Sequence, residues 1–438
     1  MPSVLTSSKH TFTFNRADHV GSFLRPSTIH QSRKSFKEGT LDAEGLRVVE
    51  DREIAALVEQ ERAVGIKSIS DGEFRREYFH LDFVEHIEGI KITRNTLVGE
   101  KNEATVPTIS VTGKLRHVKP IQLADFKFLQ ERVDGSKGEV VKVAIPSPTM
   151  VHFRGGRSSI DLAAYPDLDE FFEDLAEVYR QEIKILAEAG CKYLQLDDTN
   201  LAYLWWEELQ SLSRPMLIVA PLSDLNMREA AAGRGEDLNT LPRQYAQLIN
   251  AALRDRPAGM TVGIHLCRGN FRSRHFAEGL TSALRWLRAD CASLVRNARC
   301  RCLLLGMQVV LSDQLAQILI ISQSTTNDLV PLNVRTGPAH LSLSVLIPFF
   351  VALRFLPKGE KIVVLGLISS KIPQLEDKEA IKARIAEASK FAPLNQLALS
   401  PQCGFSSTVH GNEITIEDQW AKMKLVHEIA QDIWGSDM

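Results

Sequence analysis

Short apolar runs alternate along the chain with longer stretches of helical periodicity. The short runs, rich in β-branched residues, are predicted strands: Arg16–Phe23, Ile66–Asp71, Val141–Pro146, Tyr193–Asp197, Thr261–Cys267, Lys361–Ser369 and Leu397–Cys403. Between them lie amphipathic segments typical of helices: Glu44–Val64, Leu168–Ala189, Leu241–Arg254, Lys378–Lys390 and Glu417–Trp434. This order is typical of parallel βα units. It predicts an α/β fold, specifically a (β/α)8 barrel of the TIM type with one strand still to be located.

A polar, alternating region, residues 89–117, interrupts this order after the second unit. Residues 91–93 and 108–112 show the two-residue period of strands that have one solvent-facing side. We expect an antiparallel hairpin there, inserted over part of the barrel mouth. The chain, residues 1–438, is predicted to form one domain that carries this insertion.

The missing strand is expected between Cys267 and Lys361, where the composition changes abruptly. From Leu280 to Pro357 the sequence contains no Glu and no Lys, and most of its charged residues are Arg. Parts of it have neither helical nor strand periodicity. We interpret residues 280–352 as the product of a shifted reading frame or a retained intron, which predicts a disrupted sixth βα unit. An unusual insertion or lid is the alternative.

The composition excludes several classes of protein. Hydrophobic residues make up 44% and charged residues 24%, as in a globular protein with an ample core. The formal net charge is −2, which argues against nucleic acid as a partner. Six cysteines are too few for a disulfide scaffold and favour reduced thiols in the cytoplasm. We expect neither a secretory signal nor a membrane span, because the apolar runs are interrupted by polar residues.

Candidate metal ligands follow two of the predicted strands. His265 and Cys267 end the fifth strand and, being two residues apart, face the same side. Cys403 ends the eighth strand. Because the carboxyl ends of barrel strands meet at one mouth, this imidazole and these two thiolates would supply three of the four ligands of a tetrahedral zinc site. Two inert buried cysteines and a core histidine are the alternative.

Carboxylates and a tight turn occupy the same layer. Glu73 follows the second strand, and Asp197 and Asp198 end the fourth. Acidic groups there suit a bound amine or general acid–base chemistry. Helix capping is the alternative, more for Asp198 than for Glu73. Gly21 and Ser22, after the first strand, would either present N–H groups to a carboxylate or simply form a turn.

Five segments in this order resemble the cobalamin-independent methionine synthase family, as a single-barrel homologue of its C-terminal catalytic domain. They are Arg16–Pro26, Ser70–Arg75, Leu194–Asp198, Ile264–Cys267 and Ser400–Thr408. The resemblance covers nearly the whole chain outside residues 280–350. It implies a zinc-dependent S-methyltransferase that moves a methyl group from a methyl-tetrahydrofolate-type donor to homocysteine or a similar small thiol, giving methionine.

The resemblance also assigns roles residue by residue. The zinc ligands of the family correspond to His265, Cys267 and Cys403. The residues that hold the amine and the carboxylate of homocysteine correspond to Glu73, Asp197 and Ser22.

Two departures from the family pattern leave other functions open. The fourth zinc ligand of the family, a Glu on the sixth strand, falls in the stretch without Glu, and the His that follows the seventh strand corresponds to Ser369. A catalytically impaired homologue or a defective gene product is therefore one alternative. A related barrel that transfers an alkyl group to another thiol, or decarboxylates a porphyrin, is another. The thiolates favour thiol chemistry, because a decarboxylase does not need them.

Overall fold

A computed structural model of the chain describes residues 15–93, 107–201, 232–237, 240–267, 270, 273, 318–322, 353, 356, 359 and 361–435. Within these residues the strands are β1 Ser68–Ile69, β2 Glu88–Thr93, β3 Thr108–Arg116, β4 Val140–Pro146, β5 Tyr193–Asp198, β6 Thr261–Leu266, β7 Ile318–Ser322, β8 Ile362–Ile368 and β9 Leu397–Pro401. The α-helices are α1 Ser27–Lys37, α2 Ala43–Ala63, α3 Leu81–Val84, α4 Leu123–Gln130, α5 Thr149–Phe153, α6 Leu168–Glu188, α7 Leu241–Leu253, α8 Lys378–Ala388 and α9 Ile416–Trp434.

Seven strands form one parallel sheet in the order β1–β4–β5–β6–β7–β8–β9. A segment before α1 contacts both edges of this sheet. Ala17 forms a parallel bridge with Leu399 of β9, and the Asp18 N–H donates to the Leu399 carbonyl at 2.9 Å. On the other side, the Nε2 atom of His19 lies 2.6 Å from the carbonyl oxygen of Ser68 in β1. The predicted α/β fold is confirmed, and its long helices begin and end within a few residues of the predicted positions.

The position between β6 and β8 is filled by β7, whose backbone pairs in parallel with both neighbours. The missing strand therefore lies between Cys267 and Lys361, as expected. The prediction that the disrupted sixth unit lacks a proper strand is wrong, because the backbone of Ile318–Ser322 forms one. Its run Ile-Leu-Ile-Ile suits a strand in a parallel sheet, where no polar alternation is required. The rest of 280–352 lies outside the described residues, and the reading-frame interpretation stays a prediction.

The strands β2 and β3 form an antiparallel hairpin in the region where the sequence predicts one. The pairing register shifts between Glu88 and Ile90, so that Gly89 lies at an irregularity with φ 90°. A Cβ atom at Gly89 would lie 2.6 Å from the carbonyl oxygen of Lys114. Glycine is therefore required at this irregularity of the hairpin.

The sequence of α6 explains how this helix begins and how it packs against the sheet. Its N-cap Asp167 accepts a hydrogen bond from the Asp169 N–H at 3.0 Å, which satisfies one free donor of the first turn. Its buried apolar residues recur every three or four positions, including Phe171, Leu175, Tyr179, Ile183 and Leu186. Each such side chain contributes about 1.5–3 kcal/mol when fully buried. The Tyr179 hydroxyl also donates to the Pro146 carbonyl at 2.9 Å, which attaches α6 to the carboxyl end of β4.

A network of buried charged and polar side chains connects Asp18 to the sheet. The Lys142 ammonium of β4 donates to both carboxylate oxygens of Asp18, at 3.0 and 3.1 Å, and neither side chain is exposed. The Tyr193 hydroxyl of β5 donates to Asp18 at 2.8 Å. Burial opposes ionisation of Asp18, but the charge of Lys142 and these hydrogen bonds outweigh it, so the pKa of Asp18 is lowered. The network ties the segment before α1 to two strands of the sheet.

No helix within the described residues is both long enough and apolar enough to cross a membrane.

Candidate metal and substrate site

The three predicted metal ligands come together at the carboxyl ends of β6 and β9. His265 lies in β6, Cys267 directly follows it, and Cys403 follows β9. One ligand atom of each lies within 4.8 Å of the others, and all three residues are buried. Zinc distances of about 2.0–2.3 Å require only a small contraction of this group.

The convergence has a consequence for the shape of the sheet. The strands β6 and β9 are three positions apart in the strand order. In a flat sheet this separation would be about 14 Å, at roughly 4.8 Å per strand. Side chains that approach within 4.8 Å therefore require a sheet that curls around the site.

The donor set fits zinc. An imidazole nitrogen and two sulfur atoms are ligands that zinc prefers, and three protein ligands are the usual number in catalytic zinc sites. The buried Nδ1 atom of His265 has no hydrogen-bond partner among the described residues, so burial without a ligand leaves a polar atom unsatisfied. Within the same part of the chain, no carboxylate joins the group of His265, Cys267 and Cys403.

Lys371 is a residue of this site that the sequence reasoning missed. It follows β8, is buried, and its Nζ atom lies 3.6 Å from the sulfur of Cys403. A hydrogen bond from Cys267, the charge of Lys371 and the ring of His265 hold the pKa of the Cys403 thiol well below its usual value, although burial opposes this. Ser369, which corresponds to the His of the family pattern, lies in the same turn, and its hydroxyl accepts from the Lys371 N–H at 3.2 Å. A lysine two residues after the end of a predicted strand was the available signal.

Glu73 and Asp197 form a buried acidic pair beside the ligands. Burial, followed by the nearby charge of Asp197, raises the pKa of Glu73 to about 8, although Arg76 opposes the shift. Burial also raises the pKa of Asp197, against the charge of His265 and a 2.6 Å hydrogen bond from Gln195. The Oε2 atom of Glu73 and the Oε1 atom of Gln195 are buried without a partner in the described structure. Such atoms indicate a place for a polar ligand.

Glu73 lies in a turn whose backbone conformation is unusual. Gly72 and Glu73 both have left-handed conformations, with φ values of 63° and 57°. The Asp71 carboxylate accepts from the Glu73 N–H at 2.9 Å and stabilises the turn. A non-glycine residue rarely adopts this conformation, and such backbone strain occurs most often at functional sites.

Ser22 packs against the loop that carries Cys403. Its carbonyl accepts from the Phe405 N–H at 2.8 Å, and its hydroxyl accepts from the Ser406 N–H at 3.4 Å. A Cβ atom on Gly404 would lie 1.8 Å from the Ser22 hydroxyl oxygen. The absence of a side chain at Gly404 therefore allows these two segments to meet.

Gly404→Ala should separate Ser22 from the Cys403 loop, because the added methyl group cannot share the space of the hydroxyl. We expect zinc affinity to fall about 10-fold, within the range found when residues supporting metal ligands are changed. Zinc competition with a chelator measures the change. Gly113→Ala in β3 is the control, since a Cβ atom there meets nothing nearer than 3.9 Å. Equal zinc affinity in the two variants would contradict the prediction.

Comparison with known proteins identifies the family. Residues 16–214 match the family described as cobalamin-independent synthase, catalytic domain. The solved structure of a Listeria monocytogenes protein assigned as a vitamin-B12 independent methionine synthase is 32% identical, with a TM-score of 0.64, and the match covers 96% of this chain and 98% of that one. The chain belongs to the cobalamin-independent methionine synthase family. This membership places it among methyltransferases.

Two other relatives match the chain over different lengths. The uncharacterized protein YxjH from Bacillus subtilis is 36% identical over 421 residues, which are 96% of this chain and 94% of YxjH. A methionine synthase from Pyrococcus furiosus is 30% identical over 181 residues, 41% of this chain and 50% of that protein. Nearly the whole length of the chain is therefore shared with YxjH, and a shorter part with the named synthase.

Proposed function

We propose that this protein is a zinc-dependent S-methyltransferase. It would transfer a methyl group from a methyl-tetrahydrofolate-type donor to homocysteine or a similar small thiol, giving methionine. The observation that carries the proposal is the convergence of His265, Cys267 and Cys403 beside the buried pair of Glu73 and Asp197. Membership in the cobalamin-independent methionine synthase family supports the same reaction.

The proposal includes a closed (β/α)8 barrel in a single domain. The segment that contains Ala17 would be the first strand, followed by β1 and β4 to β9, with the β2–β3 hairpin as an insertion. The contacts of this segment with both β9 and β1, and the curl of the sheet around the site, support closure. A cytoplasmic location is also proposed, in keeping with Cys191, Cys267 and Cys403, which form no disulfide bonds.

In this proposal His265, Cys267 and Cys403 hold the zinc ion. When bound, zinc lowers the pKa of a coordinated substrate thiol and keeps it as a thiolate. Burial of the three ligands keeps water away from that sulfur, which makes the thiolate a better nucleophile. The sulfur–carbon bond forms as the carbon–nitrogen bond to the donor breaks, and the departing amine must gain a proton.

Glu73 and Asp197 would bind the ammonium group of the amino-acid substrate. With a pKa of about 8, Glu73 is mostly protonated at neutral pH in the free enzyme. A bound ammonium favours the ionised carboxylate, so binding should release a proton and form charged hydrogen bonds to the unpartnered oxygen. Ser22 would contribute to the site of the substrate carboxylate, next to the loop of Cys403.

Glu73→Gln should raise the KM for the thiol substrate far more than it changes zinc content. We expect an increase of about 10- to 100-fold, because a charged hydrogen bond is lost. Calorimetry near neutral pH in buffers of different ionisation enthalpy should show nearly one proton fewer released by the variant than by the wild type, because the thiol proton is released in both and the Glu73 proton only in the wild type. Equal losses of zinc and substrate binding would indicate a structural role instead.

The pKa of Glu73 also predicts how stability depends on pH. Its folded value, about 8, lies above the reference value of 4.5. Between these values the folded state holds more protons than the unfolded state, so the free energy of unfolding falls as pH rises through this window. Glu73→Gln should make that part of the slope shallower in urea unfolding measured across the window.

A catalytically impaired homologue is the second candidate. The observation that favours it is the stretch from Leu280 to Pro357 without any Glu, where the family has its fourth zinc ligand. The assay that tests the proposed function is methyl transfer from methyl-tetrahydrofolate to homocysteine by the zinc-loaded chain. Transfer supports the methyltransferase, whereas zinc binding without transfer supports the impaired homologue. Reading the transcript across codons 279–352 tests the altered reading frame separately.

A further inference from the structure

Arg25 joins two loops that carry different parts of the proposed site. Its side chain is buried, and its Nη2 atom donates to the Glu73 carbonyl at 2.8 Å. Its Nη1 atom donates to the Ser406 hydroxyl at 2.6 Å, to the Ser406 carbonyl at 3.0 Å and to the Thr408 carbonyl at 3.3 Å. One guanidinium therefore connects the acidic turn to the loop that begins at Cys403.

The planar fork of arginine is suited to this connection. Its nitrogens lie in fixed relative positions, so carbonyl groups bound at different nitrogens are held at a fixed distance from one another. Burying the guanidinium is costly, and burial lowers the pKa of Arg25 to about 10. Four contacts offset this cost at the Nη1 and Nη2 atoms, whereas the buried Nε atom has no hydrogen-bond partner among the described residues.

The carbonyl that Arg25 holds belongs to the strained residue of the site. Glu73 has a φ of 57°, and a conformation of this kind persists only when surrounding contacts enforce it. Its carbonyl oxygen accepts from Arg25 and from the Arg76 N–H at 3.0 Å. Arg25 therefore stabilises the backbone conformation that sets the direction of the Glu73 side chain.

We propose that Arg25 is a positioning residue that couples the acidic turn, residues 72–76, to the metal loop, residues 402–408. Metal affinity and amino-acid binding then depend on the same guanidinium, although Arg25 contacts neither a metal ligand side chain nor the Glu73 carboxylate by hydrogen bond in the described contacts. The inference rests on the proposed function, to which it adds how the two halves of the site are aligned.

Arg33 provides a matched control. It is buried like Arg25, and it donates to the carbonyls of Phe74 and Arg76 at 2.6 and 3.0 Å and to Glu50 at 3.4 Å. Its hydrogen bonds in the described structure thus reach the acidic turn but not the metal loop. Changing Arg33 should loosen one segment, whereas changing Arg25 should loosen both.

The test compares Arg25→Lys with Arg33→Lys in the full chain. Lysine keeps the charge but is a single point donor that cannot bridge the two loops. Arg25→Lys should weaken Co²⁺ binding, followed by its thiolate absorption bands, by about 10- to 100-fold, and Arg33→Lys should change it less than about 2-fold. Amide hydrogen exchange should accelerate in both segments for Arg25→Lys, and in residues 72–76 alone for Arg33→Lys.

Ser406→Ala provides a second variant if Arg25→Lys folds poorly. It removes the 2.6 Å acceptor of Arg25 at the metal loop, together with the 2.9 Å hydrogen bond that the Ser406 hydroxyl donates to the Thr408 carbonyl. It should weaken Co²⁺ binding about 3- to 10-fold, with faster exchange in residues 402–408. Wild-type Co²⁺ affinity in Arg25→Lys, or the same exchange pattern in both arginine variants, would overturn the proposal.

Homocysteine binding separates this proposal from the proposed function. Homocysteine should shift the Co²⁺ spectrum of the wild type, and both arginine variants should need about 10-fold more of it for the same shift. A wild type whose spectrum does not respond would contradict the proposed function. Metal affinity and hydrogen exchange would still decide whether Arg25 couples the two segments, because neither measurement requires a substrate.

Discussion

Cys403→Ser is expected to weaken zinc binding by more than about 100-fold and to abolish methyl transfer, because it replaces a metal ligand rather than a supporting residue. The serine hydroxyl stays protonated at neutral pH, whereas the pKa of the Cys403 thiol is held low by Cys267, Lys371 and His265. A thiolate is the form that binds metal. Competition with a chromophoric chelator measures the affinity, and the assay with homocysteine measures the activity.

Cys191→Ser is the control for that experiment. Cys191 is as buried as Cys403, but it lies before β5, at the opposite end of the strands. Burial raises the pKa of its thiol to about 12, the reverse of the shift at Cys403, because only a weak hydrogen bond to the Tyr193 carbonyl opposes burial. This variant should keep its zinc and activity. Retention of zinc by Cys403→Ser would exclude the proposed metal site.

Lys142→Met is expected to destabilise the fold by about 3–5 kcal/mol, the usual cost of removing one partner from a buried ion pair. Asp18 would stay buried without its cation, at the point where the segment before α1 meets β4 and β5. The Lys142 ammonium also donates to the His19 carbonyl, which would lose that contact. Urea unfolding followed by circular dichroism gives the free energy.

The double variant Asp18→Asn with Lys142→Met tests the cause of this loss. It removes both charges, so it should be more stable than Lys142→Met alone, since no unpaired carboxylate is left buried. A loss below about 1 kcal/mol for Lys142→Met, typical of an exposed ion pair, would mean that the network does not hold the sheet together.

Much of the fold could be predicted because its signals are local. The helices α2 and α6 appear as a 3.6-residue apolar period, and β4, β5 and β6 as short apolar runs. The backbone of β7 was not predicted, since a continuous apolar run has no period that distinguishes it from a core helix. The family resemblance rested on segments at strand ends, including those of β5 and β6.

The candidate site could be predicted in part. His265 and Cys267 share a face because they are two residues apart in one strand, which is a property of the sequence. Lys371 and Arg25 were missed because their importance comes from partners distant in the sequence. Lys371 contacts a sulfur 32 positions away, and Arg25 contacts a serine 381 positions away.

The order of strands and helices, the family, and the residues at strand ends all follow from the amino-acid sequence. Which of those residues meet depends on the folded sheet. The 4.8 Å approach of His265, Cys267 and Cys403 depends on how far the sheet curls across three strand positions. The raised pKa of Glu73 likewise depends on burial beside Asp197, to which it is adjacent only after folding. Curvature and burial are properties of the assembled sheet, because they arise from contacts between segments that are far apart along the chain.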